Sequence, residues 1–347
     1  MPVYKPREKN VIQEILHDHF KSFEKNYDAQ YSEKYGKYRI IRIKEAVEKF
    51  IECGDYSKGI APIKCTNTHC GHEYFRPFVA SLKEACKSWY LCPSCNQKRL
   101  LLFSEHLSEN VLLKLPHRQF VFTLPKLLRV YFKYDRNLFG DISRIIFSII
   151  HDFYNETAKT AVKTGVFVSY QSYGDLMRWN PHWHCIILEG GIDEKDSFHH
   201  IPLKDTSRLT EVFRRRVINL FVDKGLLDRP PAERHFALKI LSWKHSGFSV
   251  DNSVLIPASS RKARVNLSQY IIRHPGNPSD CLQKILYTRS NGTIIYRTKY
   301  NEYWKENIKL FKVGDFIVEL TQHIPPKHKH LGNPPDCTLL WLSLIHI

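Results

Sequence analysis

The stretch Asn180-Pro-His-Trp-His-Cys-Ile-Ile-Leu188 carries the strongest signal in the sequence, because two histidines precede a short apolar run. The run Cys185 to Leu188 predicts a buried β-strand. Residues i and i+2 of a strand project to the same face, so His182 and His184 are expected side by side, with Trp183 on the other face. Two imidazoles in this arrangement can chelate one divalent ion and leave positions for a phosphate oxygen and water. A lone His-x-His pair is common by chance, and the apolar run strengthens its interpretation as a metal site.

Further strands and helices flank this stretch on both sides. The other predicted strands are 119–125, 165–170 and 247–256. The predicted helices are 5–52, 138–162 and 206–224, with weaker elements at 293–298 and 316–320. Strands separated by helices predict an α+β fold, in which a sheet domain follows a small metal-binding module.

The cysteines are concentrated in one part of the chain. Five of the nine fall between residues 65 and 95. Clustering of this kind favours metal binding over a disulfide framework, and tetrahedral zinc usually takes its ligands from two closely spaced pairs. The candidate pairs are Cys65 with Cys70 and Cys92 with Cys95, with Cys86 and His72 as spare ligands. The sequence therefore predicts a structural zinc with an open ligand set, and unrelated buried cysteines are the alternative.

The charge balance favours a nucleic-acid partner. The chain has 52 Lys and Arg against 35 Asp and Glu, a formal net charge of +17. Neutralising phosphates releases condensed counterions, and the 18 Tyr, 20 Phe and 6 Trp supply stacking surfaces. Lys98 and Arg99, close to the cysteines, would suit a surface that faces phosphate. Charge alone does not distinguish DNA from RNA.

Neither a membrane span nor a secretion signal is predicted. The chain has no stretch of about 18 uncharged apolar residues. The charged segment Met1 to Asn10 has no apolar signal core. We therefore expect a cytoplasmic protein.

One tyrosine lies in a context suited to DNA chemistry. The segment 266–274 predicts a short helix that follows a basic loop at 259–264 and carries Tyr270. A phenol can attack phosphorus and hold a cut strand as a phosphotyrosine ester. Arg273 could neutralise phosphate charge, and His274 shares a helix face with Tyr270, which makes it a candidate third metal ligand. From the residues alone, an ordinary core or surface tyrosine is the more frequent role.

Taken together, these motifs resemble those of the IS91-type transposases, members of the HUH (His-hydrophobic-His) tyrosine endonuclease superfamily. The resemblance covers residues 50–330 approximately, and its specificity lies in the order of zinc module, histidine pair and tyrosine helix. The motifs are Glu52-Cys-Gly-Asp, Cys70-Gly-His-Glu-Tyr, Cys92-Pro-Ser-Cys-Asn-Gln-Lys-Arg, Pro116-His-Arg-Gln-Phe-Val-Phe-Thr-Leu-Pro, Trp179-Asn-Pro-His-Trp-His, His245-Ser-Gly-Phe-Ser-Val, Tyr270-Ile-Ile-Arg and His323-Ile-Pro-Pro.

The resemblance implies a domain order and a set of site residues. It implies a helical and zinc-binding domain over 1–100, an antiparallel-sheet catalytic domain over 101–330, and an atypical tail over 331–347. Tyr270 would nick one DNA strand at the end of an insertion sequence, stay joined to the 5′ end, and later rejoin strands. The implied ligands of Mg²⁺ or Mn²⁺ are His182 and His184, and His274 is the candidate for a third ligand. The implied ligands of structural zinc are Cys65, Cys70, Cys92 and Cys95, with Cys86 as an alternate.

Two features depart from the family pattern. Many members carry a second tyrosine four residues before the one matched here, and this chain has Asn266 at that position. We therefore expect a single-tyrosine variant. The apolar segment 336–347 lacks the usual ending, which suggests a truncated or frame-shifted reading.

Two alternative functions stay open. A replication initiator or relaxase would use the same nicking chemistry, and an inactive zinc-containing DNA binder would retain the same motifs.

Overall fold

The helices and strands below belong to the described part of the chain. The computed structural model describes residues 9–35, 40–55, 60–67, 69–77, 86, 88, 90–227, 246–271, 282–302, 305–325 and 338–339. The helices are α1 (Val11–Gln30), α2 (Ser32–Tyr35), α3 (Ile40–Ile51), α4 (Pro93–His106), α5 (Lys126–Arg129), α6 (Tyr131–Tyr134), α7 (Leu138–Ala158), α8 (Ser207–Asp223), α9 (Arg261–Ile271) and α10 (Val313–Thr321). The strands are β1 (Ile60–Lys64), β2 (Glu73–Pro77), β3 (His117–Thr123), β4 (Val166–Tyr173), β5 (Trp179–Leu188), β6 (Gly190–Ile192), β7 (Phe198–His200), β8 (Ser249–Asp251), β9 (Leu255–Ile256), β10 (Ile285–Thr288), β11 (Thr293–Asn301), β12 (Glu306–Lys312) and β13 (Thr338–Leu339).

Packing divides the chain into two compact units. The first, here the N-terminal unit, comprises Met1–Leu102, Gly174–Arg178 and His274–Ile324. The second, here the sheet unit, comprises Phe103–Tyr173, Trp179–Arg273 and Pro325–Ile347. This division is more interleaved than the continuous domains predicted from the sequence. The predicted α+β class is confirmed, since both units combine helices with antiparallel strands.

An antiparallel sheet of six strands forms the centre of the sheet unit. The strand order is β13-β4-β5-β3-β8, and β9 also pairs with β3. Strand β5, which carries the histidine pair, therefore lies between β3 and β4. His184 lies opposite Val121 on one side and Ser169 on the other.

The two faces of this sheet have different coverings. One face is apolar and packs against α7 and α8, with Trp183 fully buried and its indole N–H donating to the Phe139 carbonyl at 3.2 Å. The other face carries His182 and His184. Next to the histidines on this second face, Leu267 and Ile271 of α9 join a smaller apolar cluster. The alternation expected for β5 is thus present, with the apolar side in the main core.

The N-terminal unit has a core of its own. Helices α1 and α3 bury their apolar sides there, together with α10 and one face of the sheet formed by β10, β11 and β12. Asn10 begins α1 as an N-cap, because its side chain accepts a hydrogen bond from the Gln13 amide at 3.0 Å. Phe311 and Phe316 join the sheet to α10 with ring centroids 5.8 Å apart.

Several predicted elements differ in extent from the observed ones. The helical region predicted at 5–52 contains three helices, α1, α2 and α3. The strand predicted at 247–256 is two short pieces, β8 and β9. The helix predicted at 266–274 begins earlier, at Arg261, so residues 261–264 of the predicted basic loop at 259–264 are helical. The Ser260 hydroxyl accepts a hydrogen bond from the Ala263 amide at 3.2 Å, which is the action of an N-cap residue. The element at 316–320 lies inside α10.

Among the described residues, no helix combines the length and the apolar character that crossing a bilayer requires.

Candidate active site and metal centre

The two histidines of β5 point their Nε2 atoms at one another. These atoms are 3.0 Å apart. Each ring is held at its other nitrogen: His182 Nδ1 donates to the Asn180 carbonyl at 2.8 Å, and His184 Nδ1 lies 3.3 Å from the Gln119 side-chain amide. Two neighbouring ligands at about 2.1 Å from one octahedral ion are separated by about 3.0 Å. The spacing of the two Nε2 atoms therefore fits a shared divalent cation.

Burial keeps both imidazoles neutral. Burial lowers the pKa of His184 to about 3, and the neighbouring His182 acts in the same direction. Burial also lowers the pKa of His182; the Asn180 carbonyl opposes this shift and the charge of Arg129 adds to it. A neutral imidazole is the form that binds a metal ion. The pair is thus ready to accept a cation without first losing protons.

Tyr270 lies beside this pair. Its ring and that of His184 meet edge to face, with centroids 5.3 Å apart and an interplanar angle of 82°. The end of α9 is fixed to β4, because the Ile271 carbonyl accepts hydrogen bonds from Gln171 Nε2 at 3.0 Å and from Ser169 Oγ at 3.3 Å. The Tyr270 side chain is 45% exposed. The structure therefore brings the predicted tyrosine and histidine pair together, with the tyrosine partly exposed to solvent.

The other predicted residues of this site lie in different places. Arg273 and His274 fall outside the described residues. Asn266 is exposed on α9, one turn before Tyr270. Lys98 is exposed and Arg99 is half-buried on α4, both in the N-terminal unit.

Four cysteines of the N-terminal unit form a cluster of metal-ligand type. These residues, here called the thiol cluster, are Cys53, Cys86, Cys92 and Cys95, and their Sγ atoms all lie within 4.8 Å of one another. Three of the Sγ–Sγ distances are 3.4, 3.6 and 3.8 Å. Four sulfurs at about 2.3 Å from a tetrahedral zinc are separated by about 3.8 Å. The donor set and its spacing therefore fit one zinc ion.

Local structure explains how these thiols meet. Pro93 is the first residue of α4, where a missing amide hydrogen costs no helical bond, so Cys92 and Cys95 lie at the start of that helix. The helix dipole favours thiolates there. Cys53 follows the end of α3, where the buried Gln13 amide donates to its carbonyl at 2.9 Å. Gln13 also donates to the Ile51 carbonyl at 2.8 Å, which fixes the turn.

The observed cluster corrects the predicted ligand pairs. Cys92 and Cys95 lie in it, and so does the alternate Cys86. Cys65 and Cys70 do not: both are exposed beside the hairpin of β1 and β2. Cys53 was missed because it lies 39 residues from Cys92 in the chain. Its signal in the sequence is the motif Glu52-Cys-Gly-Asp, which lies outside the closely spaced pairs.

Shared hydrogen bonds separate the pKa values of the clustered thiols. Bonds from the other three thiols, that of Cys53 first, lower the pKa of Cys95. The pKa of Cys86 and that of Cys92 are raised, first by their hydrogen bonds to Cys53 and also by burial. Four adjacent thiolates would repel one another in this buried place, and a divalent cation would remove that cost.

Two family models and one transposase of known identity match this chain. A family model described as a transposase zinc-binding domain matches residues 16–124, and one described as a putative transposase matches residues 165–332. A transposase for insertion sequence element IS801, from Pseudomonas savastanoi pv. phaseolicola, is 24% identical over 302 residues, which cover 82% of this chain and 67% of that protein. No solved structure matches the chain. The match to a zinc-binding domain precedes the match to a transposase domain, and a similar transposase aligns with most of the chain. These matches show that this chain belongs to the IS91-type transposase family.

Proposed function

We propose that this transposase cuts and rejoins single DNA strands through a covalent bond to Tyr270, beside a divalent cation held by His182 and His184. The main support is the contact of the phenol ring with His184, whose Nε2 lies 3.0 Å from that of His182. A nucleophile and a phosphate-binding cation must lie within a few ångströms of one scissile phosphate, and this arrangement allows it.

The proposed cleavage is a transfer of a phosphoryl group to the phenol. The Tyr270 Oη forms a bond to phosphorus, and the bond from phosphorus to the 3′ oxygen breaks. The phenol proton passes to solvent, and the leaving 3′ oxygen takes a proton from solvent. The 5′ end of the strand stays attached as a phosphodiester, which conserves the bond for rejoining. In the reverse sense, a 3′ hydroxyl attacks this phosphodiester and releases the tyrosine.

Side chains around the pair would position these groups. When bound, Mg²⁺ or Mn²⁺ would polarise the phosphoryl oxygen and stabilise charge in the transition state. Gln119 and Asn180 would keep the two Nε2 atoms directed at the ion. Arg129, whose charge acts on His182, would neutralise part of the phosphate charge. Roles for Arg273 and His274 rest on the family resemblance.

The thiol cluster would hold a zinc of purely structural function. Four thiolates complete a tetrahedral site and leave no position for substrate. The cluster joins the end of α3 to the start of α4, so zinc binding would stabilise the fold of the N-terminal unit. DNA would be the partner of the whole protein.

A covalent-adduct assay tests the proposed chemistry. The full-length chain is incubated with labelled single-stranded oligonucleotides from the DNA around its reading frame, in the presence of Mn²⁺, and separated under denaturing conditions. We expect a labelled protein band that is absent in Tyr270→Phe and in His182→Ala, with unchanged zinc content. Tyr300→Phe is the matched control, since Tyr300 is also exposed, at 55%, and should leave the band intact.

Two outcomes would overturn the proposal. An undiminished adduct in Tyr270→Phe would exclude this tyrosine as the nucleophile. A wild-type chain that binds these strands but forms no adduct with any of them would identify an inactive DNA-binding protein.

A further inference from the structure

One face of the three-stranded sheet in the N-terminal unit is exposed. Strands β10, β11 and β12 pair antiparallel, with Leu286 opposite Ile295 and Ile295 opposite Leu310. Arg297 lies opposite Ile308, and Lys312 lies opposite Thr293, on the same side of the sheet. The face formed by Leu286, Ile295, Arg297, Ile308, Leu310 and Lys312 is here called the outer sheet face. Its large apolar side chains are open to solvent: Leu286 is 50%, Ile308 47% and Leu310 67% exposed.

The exposure of this face is not a sign of a poorly packed sheet. The alternate residues of the same strands, among them Ile285, Ile294 and Phe311, are buried in the core of the N-terminal unit. Ile294 is 0% exposed and Phe311 5%. A sheet with one face in its core normally presents polar residues on the other. Here three large aliphatic residues lie exposed on the second face, which is typical of a surface that binds a partner.

The unpaired charges of the six residues that define this face are positive. Arg297 and Lys312 are exposed, and neither has an ion-pair partner in the part of the chain that the structure describes. None of the six residues that define the face is acidic. Glu306, at the far end of β12, is already paired with Arg178 at 2.7 Å. The face therefore offers two unpaired cations among aliphatic side chains.

This charge pattern favours a polyanion over a second copy of the chain. A symmetric dimer through this face would bring the cations of one copy towards those of the other, which costs free energy. Double-stranded DNA presents phosphates on both sides of a groove, together with the apolar methyl groups of thymine. Lys312 and Arg297 lie towards opposite ends of the β11–β12 pair, with Ile295 and Leu310 between them, which matches that combination.

The β11–β12 pair, which carries both cations, is narrow enough for the DNA major groove. Neighbouring strands are about 4.8 Å apart, and a two-stranded ribbon fits the groove. The major groove is about 12 Å wide and about 8.5 Å deep, and strands are known to read it. The α10 helix packs with the buried face of the sheet, so it does not obstruct the outer one.

We propose that the outer sheet face binds double-stranded DNA in the major groove. Arg297 and Lys312 would contact phosphates or guanine edges, and Leu310 and its neighbours would contact thymine methyl groups. This contact is separate from the strand-cutting chemistry proposed for Tyr270 and depends on it only in assuming that the chain acts on DNA. It would hold the duplex part of the substrate.

Binding of labelled duplexes by the full-length chain tests this proposal. Duplexes tiled through the DNA on both sides of the reading frame are titrated, and affinity is read from fluorescence anisotropy at several salt concentrations. For Arg297→Gln/Lys312→Gln we expect binding about tenfold to a hundredfold weaker, with a salt slope lower by about two. Leu310→Glu, which adds a carboxylate at an exposed position, should weaken binding at least as much. The matched control is Lys25→Gln/Lys195→Gln, two exposed lysines elsewhere, with affinity within about twofold of wild type.

Unchanged duplex affinity in both outer-face variants, with normal melting temperatures, would overturn the proposal. A second measurement, light scattering after size exclusion, tests the dimer. If Leu310→Glu converts a dimer to a monomer while duplex affinity is kept, the face joins two copies and the proposal is wrong. The adduct assay on single strands is run in parallel and should be unaffected by these variants. A wild-type chain without adduct but with outer-face-dependent duplex binding would refute only the strand-cutting proposal.

Discussion

At the residue scale, the hydrogen bonds of the histidine pair select which nitrogen of each ring is available. His182 Nδ1 donates to a backbone carbonyl, so its Nε2 carries the lone pair. In the structure, the Gln119 atom that faces His184 Nδ1 is its side-chain nitrogen, at 3.3 Å. With the amide turned over, its oxygen accepts from Nδ1–H, which leaves Nε2 of His184 for the ion. Partners of this kind often change metal affinity by tenfold to about a hundredfold. Gln119 is therefore a positioning residue for His184.

Substitution of Gln119 tests this role directly. In Gln119→Leu we expect Mn²⁺ affinity, measured by electron paramagnetic resonance, to fall about tenfold or more, because His184 loses its orienting partner. Adduct formation should recover when Mn²⁺ is raised to saturation. Gln171→Leu is the control: it removes a hydrogen bond to the Ile271 carbonyl, so it should slow adduct formation and leave Mn²⁺ affinity unchanged. Equal Mn²⁺ affinity in Gln119→Leu and wild type would refute the role.

The sequence predicts the histidine pair but not Gln119, the residue that contacts His184, and the reason is physical. Alternation along a strand is a local property, so the common face of His182 and His184 follows from the sequence. Gln119 reaches His184 from a different strand, 65 residues away. That contact depends on the pairing register of β3 with β5, which a single sequence does not specify. The nearness of Tyr270 was predicted only through the family resemblance, because it depends on how α9 packs on the sheet.

At the element scale, the thiol cluster shows how zinc would join secondary structure. Cys53 comes from the end of α3, while Cys92 and Cys95 come from the start of α4. The close pair at the helix start was predictable from spacing. The distant ligand was not, because several cysteines could have completed the site and only the packing of α1 and α3 distinguishes Cys53 from Cys65.

Single cysteine substitutions should show whether Cys53 or Cys65 is a zinc ligand. We expect about one zinc per chain for wild type and for Cys65→Ser, and a clear loss of zinc together with a lower melting temperature for Cys53→Ser. The reason is that serine leaves a three-ligand site in the cluster, whereas Cys65 is exposed and lies outside it. Zinc content is measured by mass spectrometry of metals after gel filtration. Normal zinc in Cys53→Ser and loss in Cys65→Ser would reverse the assignment.

A buried histidine at the start of β3 should make the sheet unit sensitive to acid. Burial lowers the pKa of His117 to about 4, although its Nδ1–H bond to the Leu115 carbonyl at 2.8 Å opposes the shift. Between pH 6.5 and about 4 the unfolded chain binds a proton at this residue and the folded chain does not, so acidification favours unfolding. At pH 5 the cost from this histidine alone is about 2 kcal/mol.

Denaturant unfolding of His117→Gln at two pH values checks this effect. Glutamine can donate to the same carbonyl and does not titrate. From pH 7 to pH 5 we expect the free energy of unfolding to fall by about 2 kcal/mol less in this variant than in wild type. His182 and His184 contribute with the same sign in both proteins, so the difference isolates His117. An identical fall in the two proteins would show that His117 is already protonated when folded.

At the scale of the whole molecule, the order of modules was predictable and their interleaving was not. The succession of cysteines, histidine pair and tyrosine follows from the sequence. The family comparisons match a zinc-binding domain at 16–124 and a transposase at 165–332. The segments 174–178 and 274–324 belong to the N-terminal unit, although they come after the start of the sheet unit. Their apolar residues could have joined either core, and no local pattern distinguishes the two.

In the proposed mechanism one tyrosine, Tyr270, becomes joined to DNA beside His182 and His184. Its most direct test is to digest the covalent adduct with protease and nuclease and to locate the attached nucleotide by mass spectrometry. We predict a phosphodiester-linked nucleotide on the peptide that contains Tyr270, formed only when a divalent cation is present. A nucleotide found on another tyrosine, or on Tyr270 at full yield in His182→Ala/His184→Ala, would contradict the account.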